Sequence, residues 1–277
     1  MATTTRHAYK AIALDLDGTL TNHDKVITPR TYDALMRVQN EGVHIILASG
    51  RPTYGIEPIA ECLKIGDYEG YVLSYNGGKI IDWKNRKELF ANHLPDDMKP
   101  VLYKYAKDNN HALLGYAGKE IITETPDDKY VKEESRINKM NIRKVDNLLD
   151  SIEPHPTKLL MTGEPEEMVV AEQEISQLAG DRMDVFRSAP FFVELVPKGI
   201  DKALSLGRLL DIMHISPEEL MSFGDGYNDI SMIKYAGMGV AMDNAADEVK
   251  KAADYVTLSN EDDGIAAAID KFFIQQP

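Results

Sequence analysis

The 277-residue chain carries 31 Lys plus Arg against 45 Asp plus Glu, a formal net charge of −14, and 43% of its residues are apolar. That balance repels nucleic-acid backbones and anionic membranes, while the apolar share suffices for one large domain or two ordinary ones. No run approaches the ~20 apolar residues of a membrane helix, and the opening MATTTRHAYK lacks the apolar stretch of a signal peptide. A single cysteine, Cys62, excludes an intrachain disulfide and fits a reducing cytoplasm. Cys62 reads as a small buried hydrophobe in a helix, and residues 1–8 read as a loose tail.

In chain order, residues 10–16 (KAIALDL) predict a buried strand, and 29–41 carry Leu35, Met36 and Val38 at helical spacing before Gly42. Residues 43–48 (VHIILA) predict a second strand, followed by a Gly-Arg-Pro turn, a helix to Leu63 and a third strand at 71–73. Gly77-Gly78-Lys79 reads as a hairpin turn. From about Trp83 the grammar changes: apolar stretches at 90–93, 159–162 and 184–187 alternate with helices near 95–109 and 165–179. Strand and helix alternation returns with a helix at 201–213 after the strand FFVEL, then strands at 221–223, near Val240 and at 255–258. The fold class expected is α/β: a doubly wound, Rossmann-like parallel core over 1–83 and 190–277, with an inserted α+β module over 84–189.

Four elements carry the chemistry. Asp15-Leu16-Asp17-Gly18-Thr19 ends the first strand, where positions two apart leave on the same side. Two carboxylates so close resist joint ionisation unless a cation with a taste for oxygen ligands relieves them, and burying them at the end of so apolar a strand has no simple structural use. Ser49-Gly50-Arg51 follows the second strand, where a hydroxyl and nearby amides can face an anion. Lys198 or Lys202 precedes the helix at 201–213, and Gly224-Asp225-Gly226-Tyr227-Asn228-Asp229 follows the strand MSF. The carboxyl ends of a doubly wound sheet meet at one crevice, so all four elements can converge. The seven histidines lack paired zinc spacing, and neither a phosphate-loop motif nor a dinucleotide glycine pattern is present.

Taken in order, DLDGT, SGR, a lysine and GDGYND resemble the haloacid dehalogenase superfamily, and the long insert resembles its Cof-type subfamily IIB of sugar phosphatases. The likeness runs from Tyr9 to about Phe272 and includes Ser74-Tyr75-Asn76-Gly77, Gly239-Val240-Ala241-Met242 with Asn244-Ala245, and Glu261-Asp262-Asp263-Gly264. It implies a Mg²⁺-dependent phosphatase of the cytoplasm acting on a small phosphorylated metabolite, a sugar phosphate foremost. Asp15 would be the nucleophile and Asp17 the acid and base, with Asp17 kept protonated at the start. Mg²⁺ would be held by Asp15, the Asp17 main-chain carbonyl and Asp225, with Asp229 as a further ligand or a support behind them, and the phosphoryl oxygens by Ser49, Gly50, Asn228 and a lysine. The insert would be a cap that sets specificity, and Arg51, Asn76 and Lys198 are candidate substrate contacts. The family has Gly after its lysine where Ala203 follows Lys202, so both lysines stay open; Lys202, at a helix start, is favoured. A phosphomutase using the same aspartates, or a non-catalytic sensor of a phosphorylated ligand, are the rival readings. Oligomeric state is left open.

Overall fold

The structure, a computed structural model, describes residues 9–273, and the expected tail at 1–8 lies outside them. The chain opens with β1 (Ala11–Leu14), α1 (Pro29–Asn40), β2 (His44–Ala48), α2 (Thr53–Cys62) and β3 (Tyr71–Ser74). A single 3₁₀ turn at Tyr75–Gly77 leads to β4 (Lys79–Asp82) and β5 (Lys87–Ala91). Next come α3 (Met98–Asp108), β6 (Ala112–Ala117), β7 (Glu120–Thr123), α4 (Lys129–Asn138), β8 (Asn141–Lys144), β9 (Leu159–Thr162), α5 (Pro165–Ala179), β10 (Met183–Ala189) and β11 (Phe192–Pro197). The last stretch holds α6 (Lys202–Met213), β12 (Leu220–Gly224), α7 (Ile230–Tyr235), β13 (Met238–Ala241), α8 (Asp247–Ala252), β14 (Tyr255–Val256) and α9 (Gly264–Phe273).

Among the described residues, 9–90 and 201–273 form one compact unit, and Ala91–Ile200 forms another. In the first, eight strands run in the order β14-β13-β12-β1-β2-β3-β4-β5. All pairings from β14 to β3 are parallel, and β3 meets β4 in an antiparallel hairpin with Ser74 opposite Lys79, as the Gly77-Gly78-Lys79 turn predicts. Both faces of the sheet are covered, so its strands are apolar without alternation. Ile12, Leu14, Leu47 and Phe223 pack in one cluster with Leu35 of α1 and Ile269 of α9. Ala11, Ala13, Ile46 and Leu73 pack on the other side with Leu206 and Leu209 of α6 and Met232 of α7. The chain leaves β1 toward β2 and β3 on one flank and returns to β12, β13 and β14 on the other, so the topological switch point lies between β1 and β12.

The second unit has a six-stranded sheet in the order β10-β11-β9-β6-β7-β8, antiparallel except for β7 with β8. Its core joins Leu113, Ile122, Leu159, Met161, Val193 and Leu195 to Leu102 of α3 and to Met168 and Ile175 of α5.

Two sequence expectations shift. The borders at 83/84 and 189/190 become 90/91 and 200/201, because β5 joins the eight-stranded sheet beside β4 and β11, the FFVEL strand, pairs with β9 and β10 in the other. An apolar run predicts a strand but is silent about which sheet supplies its partners. Cys62 is exposed, not buried: it is the last residue of α2, off the stripe formed by Ile56, Ile59 and Ala60.

Candidate active site

Parallel pairing in register brings the first and fourth elements together. Leu14 lies opposite Phe223, and the Asp15 amide donates to the Phe223 carbonyl at 3.1 Å, so Asp15 and Asp225 leave adjacent strands side by side. Gly18 permits the approach: it has φ +84°, and a Cβ there would fall 2.3 Å from Asp225 Oδ2. Carboxylate oxygens of Asp15, Asp225 and Asp229 all lie within 4.8 Å of one another. Asp229 is fully buried; its Oδ2 accepts from the amides of Asp225 (3.1 Å) and Gly226 (2.9 Å), which fixes the carboxylate before any ligand arrives. Thr19, not singled out in the sequence although it stands in DLDGT, donates from Oγ1 to Asp225 Oδ1 at 2.7 Å.

Lys202 is the first residue of α6, whose N-cap Asp201 accepts from the Leu204 amide at 3.0 Å. Its Nζ donates to Asp15 Oδ1 at 2.7 Å and to Asp229 Oδ1 at 2.6 Å, and its side chain has no exposed surface. Burial would depress the ammonium, but the two carboxylates outweigh it and raise its pKa. Lys198 belongs to the second unit, where its Nζ donates to Asp184 Oδ1 at 2.7 Å on an exposed hairpin. The structure thus joins Lys202 to the aspartates, while Lys198 pairs with Asp184 within its own unit.

The cluster holds three acids and one ammonium. Burial, then the charge of Asp229, pushes the Asp15 carboxyl up to about 8 against the pull of Lys202. Burial lifts Asp225 to about 6, with Asp229 adding to the rise. Shared oxygen ligands short of positive charge are what a hard divalent cation such as Mg²⁺ requires, so the residues present fit one.

Asp17 points to other partners. Its carboxylate accepts a fork from Arg51, Nε to Oδ2 at 2.7 Å and Nη2 to Oδ1 at 2.6 Å, and Lys25 Nζ donates to the same Oδ1 at 2.6 Å. Burial favours the neutral acid, but the two cations prevail and hold its pKa below the ordinary range. The expectation that its neighbourhood keeps Asp17 protonated is corrected here, because Arg51, read as a substrate contact, is taken up by Asp17 itself. To act as an acid, Asp17 must exchange this clasp for a proton.

The second and third strands supply the remaining groups. Ser49 is buried, its Oγ accepting from the Arg51 amide at 3.2 Å. Asn76 follows Tyr75, and both have left-handed backbones (φ 57° and 54°), strained for a tyrosine. The amides of Tyr75 and Asn76, bonded to the carbonyls of Arg51 (3.0 Å) and Ser49 (2.9 Å), hold that conformation. The Asn76 carboxamide lies beside Gly50 and accepts from the exposed Asn228 Nδ2 at 3.0 Å. Ser49, Gly50, Asn76 and Asn228 therefore form one polar rim.

A family described as haloacid dehalogenase-like hydrolase matches residues 12–269. A haloacid dehalogenase-like hydrolase from Bacteroides thetaiotaomicron is 49% identical, with a TM-score of 0.93 over 95% of this chain and 99% of its own. The subclass IIB sugar phosphatase BT4131 is 27% identical, with a TM-score of 0.81 over 96% of this chain and 99% of its own. Among curated proteins, the 5-amino-6-(5-phospho-D-ribitylamino)uracil phosphatase YcsE of Bacillus subtilis is 29% identical over 94% of each chain. No helix among the described residues is long and apolar enough to cross a membrane. The family match over nearly the whole chain and the likeness of fold show that the chain belongs to the haloacid dehalogenase-like hydrolases and is a phosphatase.

Proposed function

We propose that the chain hydrolyses a small phosphorylated metabolite, a sugar phosphate foremost, with Mg²⁺ as cofactor and a phospho-aspartyl intermediate on Asp15. The observation that carries this reading is the buried Asp15 carboxylate, bonded to Lys202 at 2.7 Å and clustered with Asp225 and Asp229. Asp15, Asp225, Asp229 and the Asp17 main-chain carbonyl are the assigned Mg²⁺ ligands; when bound, the ion supplies positive charge to the phosphoryl oxygens and the crowded carboxylates.

Asp17 first exchanges the Arg51 clasp for a proton from solvent; an Asp15 oxygen then forms a bond to phosphorus as the ester P–O bond breaks, and Asp17 passes that proton to the departing alkoxide. Asp17, now a carboxylate, takes a proton from a water that attacks the phospho-aspartate, releasing phosphate and restoring Asp15. Lys202 keeps Asp15 oriented and, with Ser49, Gly50 and Asn228, holds the phosphoryl oxygens. Substrate selection is assigned to residues 91–200, the inserted unit, as a cap. The names of BT4131 and YcsE point to phosphate esters on polyhydroxylated carbon chains, which favours this substrate class.

The test is phosphate release from a panel of sugar phosphates, polyol phosphates, nucleotides and pyridoxal phosphate, with and without Mg²⁺. Mg²⁺-dependent release from one sugar or polyol phosphate is expected. Transfer to a second hydroxyl without free phosphate would identify a phosphomutase, and retention of every ester would identify a binding protein.

A further inference from the structure

We propose that Lys25 is a positioning residue for Asp17, selecting which carboxylate oxygen faces the leaving group; the inference rests on the acid–base role proposed for Asp17. An exposed lysine–carboxylate pair ordinarily contributes little, and the Lys25 side chain is 38% exposed. Three observations set this pair apart. The Lys25 backbone has φ +59°, a conformation that costs a non-glycine residue free energy unless its surroundings hold it. The loop that bears it is tied internally: Asn22 Oδ1 accepts from the amides of Asp24 and Val26, both at 3.1 Å, and the Lys25 amide donates to the Asn22 carbonyl at 3.0 Å.

The loop is also tied to a remote segment. Asn260 Nδ2 donates to the Thr21 carbonyl at 2.9 Å, the His23 amide donates to Glu261 Oε1 at 2.7 Å, and Thr28 Oγ1 donates to Asp263. These bonds give a structural use to the Glu261-Asp262-Asp263-Gly264 segment, and they hold the Lys25 backbone where its ammonium reaches Asp17. Third, the engagement of the carboxylate is unequal. Arg51 alone would grip Oδ1 and Oδ2 alike, whereas Lys25 adds a second cationic donor to Oδ1 only. Oδ2 is left with one donor. It is the oxygen freed first when Arg51 yields, and so the one presented to the leaving group.

The experiment compares wild type, Lys25→Met, Lys25→Arg, Asp17→Asn and the Lys25→Met/Asp17→Asn double variant on an aryl phosphate and an alkyl phosphate. Lys25→Met should lower kcat on the alkyl ester by about ten-fold and on the aryl ester by less than two-fold, because an activated leaving group needs little help from an acid. Lys25→Arg should recover most of the loss, and Lys25→Met should add nothing in the Asp17→Asn background. Equal losses on both esters, a change confined to KM, or an additive loss in the double variant would overturn the role of Lys25, with thermal melting excluding a folding defect. Two failures would lie elsewhere. Absence of phosphate release by wild type would remove the phosphatase reading, and equal losses of aryl and alkyl turnover in Asp17→Asn would remove the acid–base role.

Discussion

Each unit of the molecule buries a lysine among acids, and the two clusters differ in how completely the acids are satisfied. In the 91–200 unit, Lys158 Nζ donates to Glu194 Oε2 at 2.7 Å, and the Ser188 hydroxyl donates to Glu194 Oε1 at 2.8 Å. Glu134 accepts from the Tyr116 hydroxyl at 2.6 Å, and its pKa is raised first by burial, with Lys158 opposing. In the other unit, Lys202 serves Asp15 and Asp229 at once, and Asp225 adds a further acid whose partner is a neutral hydroxyl. The first cluster closes on itself with protein donors. The second leaves oxygens aimed at one another at the strand ends. A buried charge is therefore weak testimony to function; a shortage of donors around clustered acids is stronger, because it is relieved only by bound protons or a bound ligand.

The largest effect should come from the acid at the centre of that shortage. Asp15→Asn should lower kcat by ~10³-fold or more, as expected for removing a nucleophile, while the fold is retained in thermal melting. A variant retaining a tenth of wild-type kcat would remove Asp15 from that role.

The sharpest comparison is between the two lysines. Lys202→Ala and Lys158→Met each strand buried acids and should destabilise their units by about 3–5 kcal/mol in chemical denaturation. Lys202→Ala should also lower kcat by ~10²- to 10³-fold at a temperature where the variant stays folded, and Lys158→Met by only a few-fold. If Lys158→Met matched the loss in kcat, the contrast between a closed and an open cluster would fail.

A third effect is thermodynamic. The Asp15 carboxyl is raised from an ordinary value near 4 to about 8, and that of Asp225 to about 6. Between those limits these two groups hold more protons in the metal-free folded state than in the unfolded chain, so their contribution to stability falls as pH rises from about 4 to 8. A divalent cation takes the place of those protons. The gap in melting temperature between Mg²⁺-loaded and EDTA-treated protein should widen toward pH 8; a gap constant across that range would speak against the aspartate cluster as the ion's site. The smallest effect is that of Lys198→Ala, whose lysine already pairs with Asp184: kcat should change at most a few-fold in steady-state assays.

Legibility followed the strength of the local pattern. The strands of the parallel sheet are short unbroken apolar runs, and DLDGT, SGR and GDGYND stand just after them, so their convergence was readable before any coordinates. The region from Ala112 to Lys144 was not singled out as regular structure, and it holds β6, β7, α4 and β8. β8 reads Asn-Ile-Arg-Lys and is mostly exposed, with one apolar residue and hence no period to detect. Lys25 and Thr19 also went unread, since a lysine in a loop and a threonine after a glycine carry no signal until the fold supplies Asp17 and Asp225 as partners.

By itself the sequence determined the α/β class, the insert, the four elements and the aspartates at their centre, because each is written in residues close together along the chain. Tertiary structure alone decided which sheet β5 and β11 join, that Lys202 reaches Asp15, and that Arg51 and Lys25 grip Asp17. Lys25 and Asp17 are only 8 positions apart but meet through an irregular loop, and the other partners are far apart, Lys202 from Asp15 by 187 positions, their meeting set by strand register and helix packing and not by any local pattern.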